Sequence, residues 1–273
     1  MASFDSLLRD ASLPRLEARL LLEAASGLSR AQLIARGDAE APADVAAAFR
    51  TLAEARLRGE PIAYLVGERE FYGRPFRVAP GVLIPRPETE HLVEAALARV
   101  GRDRRCKVVD LGTGSGIVAV TLALEAPAWR VSAGDVSPDA LAIARDNAAR
   151  LLAPVQFFEG SWYEALPTGE RYDLIVSNPP YIAAGDGHLD QGDLRFEPRG
   201  ALTDEADGLA CLRTLADGAA GRLLPGGWLM VEHGYDQGDA VRALFVAAGL
   251  ASVQTLADLA GLDRVTLGQR GEP

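Results

Sequence analysis

Cysteine and histidine are scarce in this 273-residue chain, and their scarcity removes several classes of function. The two cysteines, Cys106 and Cys211, lie far apart, match no metal-ligand spacing and provide no disulfide framework. The three histidines, His91, His188 and His233, are scattered and fit no catalytic triad. We therefore expect no metal site, no disulfide and no histidine-based nucleophile activation.

Positive charge and long apolar runs are also in short supply. The chain carries 28 Lys and Arg against 38 Asp and Glu, and this net charge of -10 argues against a protein that binds mainly by wrapping a phosphate backbone. No run reaches the roughly 18 apolar residues of a membrane helix, and no basic stretch precedes an apolar core at the N-terminus. We expect a soluble cytoplasmic protein with no membrane partner and no direct nucleic-acid substrate.

Three regions differ in composition. Residues 1–60 are rich in Ala, Leu, Glu and Arg with apolar side chains three and four apart, which predicts a bundle of three or four helices. This bundle could be a docking surface for a partner or a packing appendage. Residues 61–84 hold β-forming side chains between Gly and Pro, which predicts a β-hairpin linker. Residues 85–273 form the predicted catalytic domain, which begins with a helix over 91–100.

Strands and helices alternate through the third region. This alternation is typical of an α/β fold with a mostly parallel sheet and helices on both faces, a Rossmann-like arrangement. Residues 251–256 and 264–267 could add an antiparallel pair at the sheet edge. The predicted strands cover residues 107–111, 130–135, 155–159, 172–177 and 228–232, and the predicted helices cover residues 117–126, 138–151, 208–224 and 239–248.

The tetrapeptide Asn178-Pro179-Pro180-Tyr181 follows the apolar run 172–177. It therefore lies at the carboxyl end of a predicted parallel strand, where such sheets bind ligands. The two prolines have no backbone N–H to donate, so nearby carbonyls are free to accept. Asn178 adds a side-chain oxygen and Tyr181 an aromatic face. The segment suits a planar NH2 group, although an ordinary turn uses the same residue types.

A glycine-rich loop, Gly112-Thr113-Gly114-Ser115-Gly116, joins another predicted strand to a helix. Its glycines allow a close backbone approach to a ligand. Asp110 precedes the loop and disfavours a pyrophosphate there, whereas it suits a cation or an amine. Asp135 ends the next strand, where an acid can accept from both hydroxyls of a ribose. Trp162 follows the third strand, as a ligand contact or as a core residue.

These features together resemble the class I S-adenosylmethionine-dependent methyltransferases, and the tetrapeptide narrows the resemblance to enzymes that methylate a planar NH2 group. More of the chain, from about Pro61 to Arg264, resembles the peptide chain release factor N(5)-glutamine methyltransferases (the PrmC or HemK type). The most discriminating stretch is Pro85-Arg86-Pro87-Glu88-Thr89-Glu90. Other matching stretches are Glu70-Phe71-Tyr72-Gly73, the glycine-rich loop, Ser177 to Ile182, Glu197-Pro198, Asp207-Gly208 and Glu232-His233-Gly234.

The resemblance implies S-adenosylmethionine as cofactor. It assigns the methionine portion to Gly112, Thr113, Gly114, Ser115 and Gly116, the ribose to Asp135 and the adenine region to Trp162, and it lets Asn178 touch both cofactor and substrate.

The resemblance also implies a class 1 peptide chain release factor as partner, with the glutamine of its Gly-Gly-Gln motif as the acceptor. Residues Asn178, Pro179, Pro180 and Tyr181 would hold the glutamine amide, and Asn178, Pro179 and Tyr181 would be catalytic. Phe71, Glu88 and Thr89 would wall the substrate tunnel, with a hairpin core position as the other interpretation for Phe71.

Three alternatives remain at this point. A nucleic-acid amino (adenine) methyltransferase uses the same tetrapeptide, but it should carry a basic groove. A ribosomal-protein glutamine methyltransferase should have Ser-Pro in place of Pro87-Glu88-Thr89. A regulator that binds the cofactor without turnover would not explain an intact NH2-binding tetrapeptide.

Overall fold

The computed structural model describes residues 2–272 and divides into two compact units. The first unit, the helical unit, runs to Glu68 and also includes the segment Gln191–Phe196. The second unit, the sheet unit, comprises Arg69–Asp190 and the chain from Glu197 onward.

Five helices form the helical unit within the described residues. They are α1 (Phe4–Asp10), α2 (Arg15–Ser26), α3 (Arg30–Ala35), α4 (Ala43–Leu57) and α5 (Ile62–Val66). Ser3 and Ser29 cap α1 and α3 with their hydroxyls, and Gly27 ends α2 in the left-handed conformation. The predicted bundle over residues 1–60 is confirmed by the first four helices.

The segment Gln191–Phe196 is fixed to the helical unit by a charged pair. The guanidinium of Arg56 forms a two-pronged pair with Glu17 at 2.7 and 3.0 Å, and its Nη1 lies 3.3 Å from Asp193 Oδ1. Arg56 therefore joins α2 and α4 to a segment that lies more than a hundred positions further along the chain.

The predicted hairpin over residues 61–84 is wrong at its start. Residues Ile62–Val66 form α5, which Pro61 precedes and Gly67 ends with φ of 80°. Ile62, Leu65 and Val66 pack against the core of the helical unit, and this burial outweighs their preference for strands. The hairpin itself is shorter and consists of β1 (Glu68–Phe71) and β2 (Arg74–Arg77).

The sheet unit alternates strands with helices, as predicted. After α6 (Glu90–Val100), its elements are β3 (Lys107–Leu111), α7 (Ile117–Glu125), β4 (Arg130–Asp135), α8 (Pro138–Arg150), β5 (Val155–Glu159), β6 (Tyr172–Ser177), α9 (Ala210–Arg222), β7 (Leu223–Glu232), α10 (Gly238–Ala247), β8 (Leu250–Ala257) and β9 (Asp263–Arg270).

Seven of the described strands form one sheet in the order β5-β4-β3-β6-β7-β9-β8. The first five pair in parallel, and β9 pairs antiparallel with both β7 and β8 at the edge. The chain moves outward from β3 to β4 and β5 and then returns to the other side of β3 with β6. The carboxyl ends of β3 and β6 therefore flank the crevice where a doubly wound sheet binds its ligand.

Alternate residues of the central strands enter two separate cores. Val108 and Leu174 belong to a core with α6 and α7, whereas Val109 and Ile175 belong to a core with α9 and α10. Helices thus cover both faces, which confirms the Rossmann-like fold. No helix among residues 2–272 is both long enough and apolar enough to cross a membrane.

Candidate active site

A cavity of about 310 Å³ opens at the carboxyl ends of β3, β4 and β6 in the sheet unit. It brings together residues from six separate stretches of the chain. The residues that line it on these stretches include Pro85, Arg86 and Thr89; Asp110, Gly112, Thr113, Gly114 and Ser115; Asp135, Val136 and Ser137; Ser161 and Trp162; and Asn178 and Pro180. Most of the residues predicted to hold a cofactor therefore meet in one place.

The glycine-rich loop leaves open space on one side and closes against an indole on the other. Gly112 has φ of 73°, and a Cβ built on it would lie 3.4 Å from the ring of Trp162. Gly114 has φ of 55°, and a Cβ built there would meet nothing within 4 Å. The absence of side chains thus lets Trp162 approach the loop and leaves room beside Gly114 for a ligand.

The carboxylate of Asp135 is fixed at the end of β4. Its Oδ2 accepts a hydrogen bond from the backbone N–H of Gly114 at 2.8 Å, and its Oδ1 accepts one from Ser137 N–H at 2.9 Å. Each carboxylate oxygen can accept again, so Asp135 presents two oriented acceptors beside the glycine-rich loop.

Asp110 is a second carboxylate of this cavity, and it is almost fully buried. Its Oδ2 accepts from the hydroxyl of Thr113 at 2.6 Å and from the backbone N–H of Ala119 at 3.3 Å. Burial raises the pKa of Asp110 to about 7, although both hydrogen bonds oppose the shift and the nearby charge of Asp135 adds to it. A cationic ligand would favour the ionised form of Asp110.

Asn178 directly follows β6, and a hydrogen bond holds the nitrogen of its carboxamide. Its Nδ2 donates to the hydroxyl oxygen of the buried Thr89 at 3.0 Å. The preceding Ser177 donates to the carbonyl of Leu111 at 2.6 Å and so joins the ends of β6 and β3. The acceptor oxygen of Asn178 is the other end of the same planar group, and Asn178 and Thr89 both line the cavity.

A hydrogen bond joins Tyr181 to the buried Glu232. The Tyr181 hydroxyl donates to Glu232 Oε1 at 3.3 Å, and burial raises the pKa of the phenol well above its usual range. The Tyr181 carbonyl accepts from Gln237 Nε2 at 2.9 Å. Tyr181 is partly buried against the core with α9 and α10, so the tetrapeptide is anchored at its far end.

Glu197 ties two walls of the cavity together. It is buried, its Oε2 accepts from the backbone N–H of Ile84 at 2.8 Å, and its Oε1 pairs with Arg86. Since Arg86 lies on one wall and Pro198 on another, this carboxylate fixes the spacing of the two segments.

Several residues predicted from the sequence do not line the cavity. Gly116 begins α7 with φ of 84° and packs against Ala144, where a Cβ would lie 3.2 Å from the backbone. Phe71 is 1% exposed in the core with α6 and α7, in an edge-on contact with Phe76. Its structural position is therefore that of a hairpin core residue and not of a tunnel wall.

Three further predicted residues also lie off this cavity. Glu88 is exposed, Pro179 is buried, and Tyr181 is partly buried with its hydroxyl bonded to Glu232. The structure also identifies Glu232 as a partner of Tyr181, whereas the sequence showed it only as part of a matching stretch. Like Asp110 and Asp135, Glu232 is an acid at or near the end of an apolar strand, and that signal could have identified it.

The arrangement has a definite chemical character. Two carboxylates and an indole surround the glycine-rich loop, and an oriented amide stands beside the strand β6. Such a cavity fits a ligand that carries hydroxyls, an aromatic ring and positive charge, and it does not fit a pyrophosphate.

Two family models match separate parts of the chain. Residues 1–67 match a family model described as the PrmC N-terminal domain, and residues 89–192 match the methyltransferase small domain. The second match contains the glycine-rich loop and the tetrapeptide.

Individual proteins resemble the chain over nearly its full length. A release factor glutamine methyltransferase of Neisseria gonorrhoeae is 57% identical over 268 residues, which cover 98% of this chain and 97% of that protein. One of the same description from Bordetella pertussis is 56% identical over 268 residues, with 98% and 99% covered. A crystal structure of a methyltransferase from Pyrococcus furiosus shares the fold, with a TM-score of 0.56 at 17% identity over 80% of this chain and 97% of that one.

Proposed function

The chain belongs to the release factor glutamine methyltransferase family, and from that premise we propose that it methylates the side-chain amide nitrogen of the glutamine in the Gly-Gly-Gln motif of class 1 peptide chain release factors. The methyl donor is S-adenosylmethionine. The observation that carries the proposal is that Asn178, already tied through Nδ2 to Thr89, lines the same cavity as Asp135 and the glycine-rich loop.

The cavity residues fit this cofactor group by group. Asp135 offers two oriented oxygens to the ribose hydroxyls, and Trp162 offers a ring to the adenine region. The open space beside Gly114 receives the methionine portion, and the buried Asp110 supplies the negative charge that its cation needs. S-adenosylmethionine, when bound, supplies a methyl group on a positively charged sulfur that leaves as a neutral thioether.

The substrate amide is held by acceptors. Asn178 Oδ1 takes one hydrogen of the glutamine NH2, and a backbone carbonyl of the tetrapeptide takes the other. Because Pro179 and Pro180 have no backbone N–H, no donor of these residues competes with the substrate. Pro180 lines the cavity, and Tyr181 anchors the segment through Glu232.

These acceptors also act on reactivity. An amide nitrogen is a poor nucleophile because its lone pair is delocalised into the carbonyl. Two acceptors on its hydrogens aim that lone pair at the methyl group and stabilise the positive charge that develops on nitrogen. The glutamine nitrogen would take the methyl carbon from the sulfur, which would keep the electron pair of the broken bond, and the extra proton on nitrogen would leave to water without a dedicated base.

The helical unit is the proposed docking surface for the release factor. Ile34 is 71% exposed and borders a small cavity of the helical unit whose charged lining residues are three arginines and one acid: Arg15, Arg19, Arg30 and Asp5. An exposed apolar side chain beside arginines suits a protein partner with an apolar and acidic surface. Such a partner is met in the cytoplasm, where translation terminates.

Transfer of labelled methyl from S-adenosylmethionine tests the proposal. The acceptors are an intact class 1 release factor, the same factor with glutamate in place of the Gly-Gly-Gln glutamine, ribosomal proteins, and RNA. We expect label in the first acceptor and none in the second. Label in RNA or in a ribosomal protein, with an unlabelled release factor, would replace the proposed substrate with one of the alternatives.

A further inference from the structure

Thr89 accepts a hydrogen bond with its hydroxyl oxygen and still has a hydrogen to give. The bond from Asn178 Nδ2 reaches Thr89 Oγ1 at 3.0 Å, and Thr89 is fully buried. A buried hydroxyl needs an acceptor for its own hydrogen, because a buried donor that makes no hydrogen bond costs free energy. Whatever takes that hydrogen decides whether Thr89 can go on accepting from Asn178.

The carboxylate of Glu232 interacts with this hydroxyl. Its exposed fraction is 1%, and the interaction with Thr89 favours its ionised form. Oε1 accepts from Tyr181, while the buried Oε2 has no hydrogen-bond partner within residues 2–272. An ionised carboxylate can only accept, so it suits the spare hydrogen of Thr89.

We propose, on the basis of the function proposed above, that Glu232 and Thr89 are positioning residues that fix which end of the Asn178 amide faces the substrate. The ionised Glu232 takes the Thr89 hydrogen, so Thr89 is left with lone pairs only toward Asn178. Asn178 must then turn its NH2 to Thr89 and its Oδ1 to the substrate amide.

Protonation of Glu232 reverses the direction of these hydrogen bonds. A neutral carboxyl can donate to Thr89 Oγ1, and Thr89 then donates to Asn178. The Asn178 amide satisfies that donor by turning over, which presents its own NH2 to the NH2 of the substrate. Two donors then oppose each other, and the glutamine loses its oriented acceptor.

The charges around Glu232 set the pH at which this happens. Thr89, Tyr181 and the guanidinium of Arg264 favour the ionised form, whereas the carboxylate of Glu88 opposes it. Arg264 is itself paired with Asp258 at 3.0 Å. Burial is the largest influence and raises the pKa of Glu232 to about 7, so the ionised, productive arrangement prevails above that pH.

Four variants test the inference in the intact protein. Thr89→Val removes the hydroxyl at nearly constant shape, Thr89→Ser retains a hydroxyl, and Glu232→Gln removes the titration. Thr121→Val is the matched control, because Thr121 is also fully buried but its hydroxyl has no hydrogen-bond partner within the described chain. For each variant, kcat and KM for the release factor are measured across pH, with cofactor affinity by calorimetry as the check on folding.

We expect Thr89→Val to lower kcat roughly 10- to 100-fold with KM and cofactor affinity within about twofold, since a misoriented group costs rate more than binding. Thr89→Ser and Thr121→Val should stay within about threefold of the parent. The parent should lose kcat below about pH 7, and Glu232→Gln should lack this acid limb.

Two results would overturn the inference while leaving the function in place. One is an unchanged kcat in Thr89→Val, and the other is an acid limb that persists in Glu232→Gln. A parent protein that fails to methylate any release factor would instead refute the proposed function. If Thr89→Val fails to bind cofactor, the pH profile of Glu232→Gln decides alone.

Discussion

The backbone N–H of Gly114 donates to Oδ2 of Asp135 at 2.8 Å, so the acid at the end of β4 holds the glycine-rich loop after β3. The two residues belong to neighbouring parallel strands and meet at the same edge of the sheet. Asp135 thus shapes the loop and presents its remaining lone pairs to a ligand. Its replacement should affect cofactor binding through both routes.

Asp135→Ala should weaken S-adenosylmethionine binding by roughly 100-fold or more, because two hydrogen bonds to a charged acceptor contribute about 1.5–3 kcal/mol each. The value of kcat at saturating cofactor should fall much less. Calorimetry and saturation kinetics measure the two effects. Asp139→Ala is the control, since Asp139 is exposed on the first turn of α8 and does not line the cavity. Equal affinities in the two variants would refute the ribose assignment.

Gly114→Ala should mainly weaken cofactor binding, whereas Gly116→Ala should mainly destabilise the fold. Both positions have positive φ, so each substitution carries a backbone cost of roughly 1–2 kcal/mol. A Cβ at position 116 also lies 3.2 Å from the Ala144 backbone, and this crowding should destabilise by about 1–3 kcal/mol more.

At position 114 the Cβ meets open cavity, so its main effect should be weaker cofactor binding. Urea unfolding without ligand compares the stabilities of the two variants, and calorimetry compares their affinities for the cofactor. If Gly116→Ala is the more stable variant, or the better at excluding cofactor, the geometry of the loop has been misinterpreted.

Asn178→Ala should lower kcat by at least about 100-fold, because it removes the one side-chain acceptor that the tetrapeptide offers to the substrate amide. Cofactor affinity should change only a few-fold, since Asp135 and the glycine-rich loop remain. Single-turnover transfer to an intact release factor is the measurement. A rate within tenfold of the parent would contradict the proposed role of Asn178.

Ile34→Asp should lower kcat/KM for an intact release factor by roughly tenfold, as the loss of an apolar anchor does at other interfaces. The same variant should act normally on a short Gly-Gly-Gln peptide, because the peptide lacks the release-factor surface that is proposed to dock on the helical unit. Leu259→Asp is the matched control, because Leu259 is 97% exposed in the sheet unit. An equal loss on protein and peptide would argue against docking at Ile34.

The order of strands and helices was predictable because the signals are local. Apolar runs of five or six residues that end in Gly, Asp or Asn mark β3, β4 and β6, and those ends also carry the site. The same patterns predicted the antiparallel edge that β8 and β9 form. The ends of parallel strands meet in space whatever lies between them, so Asp135 and Asn178 could be placed together from the sequence.

The errors arose where distant packing decides the outcome. Ile62–Val66 has strand-forming side chains, yet it is helical because a core built by other helices buries it. For Phe71 the sequence left a tunnel wall and a hairpin core position open, and the structure places it in the core beside Phe76. The Glu232 interaction with Thr89 spans too much of the chain to be visible in any local pattern.

The helical unit is discontinuous in sequence, because Gln191–Phe196 belongs to it and Arg56 holds Asp193 within it. A cut after residue 67, where the first family match ends, would therefore divide a folded body rather than separate two. A fragment that starts in the hairpin would contain Gln191–Phe196 but lack Arg56, the charged partner of Asp193. Chimeras between relatives should exchange this segment together with the N-terminal helices, since the two belong to one compact unit.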